Sequence, residues 1–338
     1  MASLDIGIDL GTCTAIATDS TRSVVVREPS VVAVDNRTGK VTEIGSRVYE
    51  MIGRTPSYMQ VIRPLSEGVI SNFAMTEVLI RHMLRQITGS QLLKPRVTLC
   101  VPSETTNVES QAVIDATVSA GARKVYLIEE PVAAAIGAGL DLSKPEGNLI
   151  VDIGGGTCDI AVLSLNGIVT KTSIKTAGRL FDEAIIRFVR SKYNLLIGER
   201  TAERVKIEVG SVYEGSSEAI TDVKGRDLMT GLPKKISLRR SETLWVLREP
   251  MDLILRAVAG VLERTPPELS ADIRTNGLVL TGGGARLTGL AQVLERGTRV
   301  PTRIAQHPEE CVAIGTARSF DYLDKLYDGF VHTSTHTH

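Results

Sequence analysis

Apolar residues along this chain gather in short runs, and two of those runs end on the same punctuation. The first reads Ile6-Gly7-Ile8-Asp9-Leu10-Gly11-Thr12-Cys13-Thr14-Ala15-Ile16-Ala17, and the second Leu149-Ile150-Val151-Asp152-Ile153-Gly154-Gly155-Gly156-Thr157-Cys158-Asp159-Ile160-Ala161. Each is an apolar strand with an aspartate, then a turn containing Gly-Thr-Cys, then a second apolar strand. Two strands joined by such a turn predict a β-hairpin. Asp9 and Asp152 stand at matching points about one domain length apart, so the repeat predicts a duplicated fold.

Between the copies, strand and helix patterns alternate, which is the signature of an α/β protein. Ser30 to Val34 and Val41 to Ile44 read as strands around a turn at Asn36-Arg37-Thr38-Gly39. Asn72 is placed to cap a helix carrying Phe73, Ile80, Met83, Leu84 and Ile87, which ends near Gly89. Val97 to Val101 reads as a buried strand. A helix through Val108, Ala112, Ala116 and Ala120 stops at Gly121, and Val125 to Ile128 forms the next strand. Pro131 then suits the first turn of a helix whose small residues, Ala133, Ala134 and Ala135, permit close packing.

The second half predicts helices over Phe181 to Tyr193, Ala202 to Val212 and about Arg248 to Glu263. The polar stretch from Gly215 to Arg240 predicts a small subdomain. A strand from Gly277 to Leu280 enters Thr281-Gly282-Gly283-Gly284-Ala285, where the glycines are expected to open a helix. The last helix, about Val312 to Tyr322, precedes a polar tail. His332, His336 and His338 lie in that tail, where a disordered terminus is expected rather than a metal site.

Composition narrows the partners. The 338 residues are 43% apolar and 23% charged, with 39 cationic and 39 acidic side chains. That balance suits a folded globular chain and gives no net field for nucleic acid. Cys13, Cys100, Cys158 and Cys311 are scattered, which argues for a reduced, cytoplasmic setting over a disulfide framework or zinc site. Asp5 and Asp9 interrupt what a signal peptide would need as an apolar core. The longest nearly uncharged run, Val132 to Leu140, is too short to span a bilayer.

The candidate chemistry lies in the turns. Glycine lets a phosphate approach backbone amides closely. The turns at Gly11-Thr12-Cys13-Thr14 and Gly154-Gly155-Gly156-Thr157 offer such amides, and Thr12, Thr14 and Thr157 add hydroxyls. Gly282, Gly283 and Gly284 are expected to meet the nucleotide from another side. No GxxxxGK[ST] sequence occurs, and no strand–GxGxxG–helix fingerprint opens the chain, so a P-loop is excluded and a dinucleotide fold disfavoured. Asp9 and Asp152 at strand ends suit Mg2+, which keeps its waters and takes one or two carboxylates plus phosphate oxygens. Glu130 either favours its helix N-terminus, a job Glu129 can share, or faces the γ-phosphate as a base or water-orienting group. Together these residues predict a nucleoside triphosphate bound with Mg2+ in a cleft between two similarly built α/β domains.

The same residues carry a family resemblance. Asp9-Leu10-Gly11-Thr12, Glu130-Pro131 with Ala133-Ala134-Ala135, and Asp152-Ile153-Gly154-Gly155-Gly156-Thr157 resemble the actin, sugar-kinase and heat-shock-chaperone ATPase superfamily. Within it the chain resembles the bacterial actins of the MreB/Mbl family. The likeness extends through Leu196-Ile197-Gly198-Glu199-Arg200-Thr201-Ala202-Glu203-Arg204, Arg264-Thr265-Pro266-Pro267-Glu268-Leu269, and Gly137 with Val312-Ala313-Ile314-Gly315-Thr316. It runs from Asp5 to about Leu323.

The resemblance implies an actin-like fold of two duplicated ribonuclease-H-like domains, each with a smaller inserted subdomain. Domain I would span 1–146 with its insertion at about 33–66, domain II 147–323 with its insertion at about 180–243, and a polar tail 324–338. It implies a slow Mg2+-dependent ATPase that polymerises with itself into filaments. These would lie on the inner face of the cytoplasmic membrane, work with the cell-wall elongation machinery and organise rod shape.

By motif, Asp9 to Thr14 and Asp152 to Cys158 would clamp the phosphates, Glu203 and Lys206 approach the nucleoside, and Gly282 to Ala285 line the adenosine side. Glu130 would position the attacking water. Leu92 and Leu93, in a loop between a helix and a strand, would insert into the membrane. The first strand starts by about Leu4, which leaves no room for the N-terminal amphipathic helix some relatives add. Relatives commonly carry Thr-Ala-Asn where this chain has Thr12-Cys13-Thr14, Thr where it has Cys158, and Asp where it has Arg179. A small-molecule kinase or a regulatory nucleotide-binding module of the same superfamily is the alternative, while no peptide-binding domain of a chaperone is expected.

Overall fold

Each Asp-bearing hairpin lies inside its own sheet in a computed structural model that describes residues 4–19, 21–89, 94–323 and the backbone of 330–335. In the first hairpin Asp5–Leu10 pairs antiparallel with Thr14–Thr18, so that Leu10 faces Ala15. The other edge of Asp5–Leu10 runs parallel to Arg96–Val101. In the second hairpin Asn148–Ile153 pairs with Cys158–Ser164, bringing Asp152 opposite Asp159. Its other edge runs parallel to Leu278–Thr281.

The two sheets share a strand order. One reads Val24–Pro29, Thr14–Thr18, Asp5–Leu10, Arg96–Val101, Lys124–Glu129. The other reads Gly167–Ile174, Cys158–Ser164, Asn148–Ile153, Leu278–Thr281, Thr302–Ile304. Three antiparallel strands are followed by two parallel ones, and parallel neighbours need a crossover. Helix Asn107–Ala120 supplies it between Arg96–Val101 and Lys124–Glu129. Helix Leu290–Thr298 supplies it between Leu278–Thr281 and Thr302–Ile304.

Local signals place the helix ends. The Asn72 side chain accepts a hydrogen bond from Met75 N at 3.1 Å and starts helix Phe73–Thr88. Thr106 and Glu109 form a capping box ahead of Asn107–Ala120, and Gly121 ends it. Other ends differ from expectation. The helix expected from about Arg248 begins at Arg240 and runs through the buried Pro250 to Glu263. The helix expected from Ala202 begins at Glu199. The third Gly-rich turn opens only a short 3-10 turn, Gly283–Arg286, and the α-helix Leu290–Thr298 starts later.

A pair of short helices fills the space between the sheets. Glu130–Gly137, with Pro in its first turn, packs on Cys311–Arg318. Their surfaces are made of alanine and glycine because the backbones nearly touch. A Cβ on Gly315 would lie 1.7 Å from the Ala133 carbonyl oxygen, and one on Gly137 would lie 1.8 Å from that of Cys311. Ile128, Ile150, Ala161 and Val279 join this pair in one core cluster, so it touches both sheets. Each sheet also has a larger core of its own.

Three small sheets complete the layout among the described residues: Lys40–Ile44 with Val32–Asp35 and Met59–Ile62, Leu195–Leu196 with Ile220–Asp227 and Pro233–Arg239, and the two-stranded Leu65–Ser66 with Val69–Ile70. In the tail, where no order was expected, Phe330–Thr335 adds an antiparallel edge strand to Lys124–Glu129, pairing Tyr126 with Thr333. His332 falls in that strand. His336, His338, Leu92 and Leu93 lie outside the described residues. Among those described, no helix is long and apolar enough to cross a membrane.

Candidate functional site

The hairpin turns interlock across a cleft of about 400 Å³. A Cβ on Gly155 would sit 2.4 Å from Cys13 Sγ, and one on Gly156 would sit 2.4 Å from Thr12 Oγ1. Glycine is therefore required where the second turn closes on the first. The first turn is braced from outside: Gly68 N donates to Thr12 Oγ1 at 2.9 Å, and Ser30 Oγ donates to Gly11 O at 2.6 Å. The second is braced by helix Gly178–Tyr193, whose Gly178 and Arg179 amides donate to the carbonyls of Gly154 and Gly155 at 3.1 and 2.9 Å. Carbonyl and amide of a trans peptide point opposite ways, so the Gly155 and Gly156 amides are directed away from that helix. In the third turn, Gly282 and Gly284 press on Ile153, whereas Gly283 has open space where a Cβ would be.

Acids form the floor. Asp9, Glu130 and Asp152 all line the cleft. Burial raises the Asp9 carboxyl to about 6, against a hydrogen bond from the Cys100 thiol. Burial, with the Asp9 and Asp159 charges, raises Asp152 to about 7 although Thr281 opposes the shift. Glu130 is pushed well above the carboxylate range, first by burial and then by the charges of Asp159, Asp152 and Asp9. Asp159 is fully buried and accepts from Ser103 N at 2.8 Å. Oδ1 of Asp152 is buried with no hydrogen-bond partner. Acids crowded this way are stabilised by a cation, and a carboxylate pair with one orphaned oxygen fits Mg2+ held through water. Among the described residues, no group of three or more His, Cys, Asp or Glu is placed to hold a metal ion directly.

Neighbouring Glu129 is occupied elsewhere, with both carboxylate oxygens 2.7 Å from Lys171 Nζ. At the far end, Lys206 Nζ donates to Gly178 O at 3.0 Å and pairs with Asp182 at 2.9 Å. Burial raises Asp182 to about 6 despite that lysine. Glu203 stands beside Lys206 in the lining and accepts a hydrogen bond from Tyr49. Phe181, Ile207 and Leu287 give this end an apolar wall.

Nearly every cleft residue named from the sequence lines this cavity: Asp9, Gly11 to Thr14, Glu130, Asp152, Gly154 to Thr157, Glu203, Lys206 and Gly282 to Gly284. Cys158 and Ala285 do not. Both side chains are fully buried in the core of the second sheet, because each follows its turn inward. Sequence reasoning missed Arg27, Gly178, Asp182, Arg286 and Glu309. Gly178 alone carried a signal, as a glycine opening an amphipathic helix.

Two sheets of one strand order, closed on a cleft by two aspartate-bearing hairpins, define an actin-like ATPase fold. The family model described as MreB/Mbl protein matches residues 3–328, and the chain belongs to that family. Cell shape-determining protein Mbl of Bacillus subtilis (strain 168) is 46% identical over 327 residues, 96% of this chain and 98% of that protein. Cell shape-determining protein MreB of Escherichia coli (strain K12) is 44% identical over 330 residues, 96% of this chain and 95% of that protein. Among solved structures, MreB5 of Spiroplasma citri bound to ADP aligns with a TM-score of 0.91 at 36% identity. The alignment covers 95% of this chain and 97% of that one, and the same protein bound to AMPPNP also gives 0.91.

Proposed function

We propose that this chain is a bacterial actin that binds and slowly hydrolyses ATP and polymerises into filaments that organise cell-wall synthesis and rod shape. The observation that carries the reading is the interlocked pair of hairpins with Asp9, Asp152 and Glu130 at the floor of one cleft. Its kinship with cell shape-determining proteins, and with a relative whose structures hold ADP and AMPPNP, supports the same reading.

In this reading the turns at Gly11 to Thr14 and Gly154 to Thr157 hold the phosphates through backbone amides, with Cys158 supporting from behind. Glu203 and Lys206 face the nucleoside, and Gly282 to Gly284 face its adenosine side, backed by Ala285. Asp9 and Asp152 hold Mg2+ through water, and when bound it neutralises charge on the phosphates. Glu130 orients the attacking water. Such phosphoryl transfer depends mostly on positioning and charge neutralisation. The Gly155 and Gly156 amides, fixed before substrate arrives, need no rearrangement to meet it.

The shared strand order supports two duplicated ribonuclease-H-like domains, 1–146 and 147–323. The two three-stranded small sheets, whose strands span 32–62 and 195–239, support smaller insertions at about 33–66 and about 180–243. Leu92 and Leu93 serve as the membrane contact, setting the filament on the inner face of the cytoplasmic membrane beside the elongation machinery. Burying two leucines stabilises by about 3–6 kcal/mol, a weak anchor that a filament multiplies through many copies.

Electron microscopy of purified protein with Mg·ATP on a lipid surface tests the function. Filaments are expected, and a protein that stays monomeric with ATP overturns the reading. Liposome co-sedimentation of the Leu92→Ser/Leu93→Ser variant tests the anchor. It should polymerise yet fail to pellet with lipid, and pelleting at the parent level removes the loop from the role.

A further inference from the structure

The two small units meet over the cleft. From one side come helix Ser46–Met51 and Arg63; from the other, the first turns of helix Glu199–Val209. Tyr49 Oη donates to the Glu203 carboxylate. The Arg200 guanidinium stacks 5.0 Å from the Tyr49 ring centroid, and its Nη1 donates to Glu50 O at 2.8 Å. Arg63 Nη2 lies 2.6 Å from Glu199 Oε2. These contacts enclose a second space of about 300 Å³ that shares Cys13, Thr14, Asp182 and Glu203 with the nucleotide cleft.

One side chain belongs to both features. Glu203 lines the cleft and also accepts the Tyr49 hydroxyl. Burial and the Glu203 carboxylate hold the Tyr49 phenol above its ordinary range, so it stays a donor at any working pH. An exposed ion pair such as Arg63–Glu199 contributes little alone. A part-buried hydrogen bond to a charged acceptor, stacked under a guanidinium, contributes more.

We propose that Tyr49 is a positioning residue of the nucleotide site: it orients Glu203 from the opposite wall, and with Arg200 and the Arg63–Glu199 pair it latches the mouth, so that nucleotide leaves only when these contacts part. The proposal rests on the nucleotide reading above. It makes Glu203 the joint between ligand and latch, because that one carboxylate both lines the cleft and accepts the Tyr49 hydroxyl.

The test is stopped-flow release of a fluorescent ATP analogue, chased with excess ATP, from the full chain with Mg2+. Tyr49→Phe keeps the ring under Arg200 and removes only the hydroxyl. Release should quicken about tenfold, while single-turnover hydrolysis of bound ATP stays at the parent rate. Arg63→Glu should quicken release about threefold, and adding Glu199→Arg should restore it, an outcome that general loss of structure does not produce. A parent that binds the analogue, with Tyr49→Phe releasing at the parent rate, overturns the latch alone. So does a charge-swapped double variant no slower than Arg63→Glu. A parent that binds no analogue overturns the nucleotide reading and the latch with it.

Discussion

Glu129 and Glu130 are adjacent in the chain, yet Glu129 is held by Lys171 while Glu130 lines the cleft floor among Asp9, Asp152 and Asp159. The turn from strand Lys124–Glu129 into helix Glu130–Gly137 separates them. Glu130→Ala should bind ATP and still assemble, with hydrolysis slowed by about a hundredfold to ten-thousandfold. Glu129→Gln should lose some stability with Lys171 left unpaired, and hydrolyse near the parent rate. Phosphate release under single-turnover conditions separates them. Parent-rate hydrolysis by Glu130→Ala would move the role to another group.

The helix carrying Glu130 is held by contact at glycine. Gly315→Ala puts a methyl group into the Ala133 carbonyl, and Gly137→Ala does the same at Cys311. Neither backbone can retreat without displacing a strand, since Gly7 also packs on Ala317 N, where a Cβ would come within 2.5 Å. Each variant should lose at least about 1–3 kcal/mol in urea unfolding, and hydrolysis should fall as Glu130 shifts. A Gly315→Ala protein as stable as the parent would show the pair to be looser than its geometry.

What the sequence made legible follows from how local each signal is. The aspartate hairpins, the Asn72 cap and the Pro131 helix are each written within a few residues, and each was readable. Asp182, Arg27 and Glu309 reach the cleft only because distant elements converge, and no spacing announces that. Pro250 imitates a helix start, which hid eight residues of helix before Arg248. Phe330 and Val331 are followed by His332, Thr333, Ser334 and Thr335, so the segment carries little of the alternation that marks a half-buried strand.

The cysteines of the two hairpins differ in their surroundings. Cys13 is partly exposed at the cleft, whereas Cys158 is fully buried. Burial raises both thiols, and the nearby charges of Arg63, Lys206 and Arg179 temper the rise at Cys13. Alkylation followed by mass spectrometry should label Cys13 slowly and show protection by Mg·ATP. Cys158 should stay unlabelled in either state until the protein unfolds. Equal labelling of Cys13 with and without nucleotide would place it outside the bound phosphates.

Asp152 gives a pH dependence whose sign can be worked out. Its folded carboxyl titrates at about 7, above the ordinary value of 3.8, because burial favours the neutral form. Stability from that neutral carboxyl is present in full below about pH 4 and lost as pH rises through 7. The nucleotide-free protein should therefore weaken between those limits. Asp152→Asn mimics the neutral acid and should be more stable than the parent at pH 8 by about 2–4 kcal/mol. A metal site needs the opposite state, since ligands must be deprotonated to bind. Mg·ATP should thus stabilise the parent more strongly at pH 8 than at pH 5.5, and barely stabilise Asp152→Asn. Thermal unfolding of both proteins across this range, with and without Mg·ATP, measures every arm. A variant less stable than the parent at pH 8 without nucleotide would mean that the charged carboxylate already has a partner in the fold.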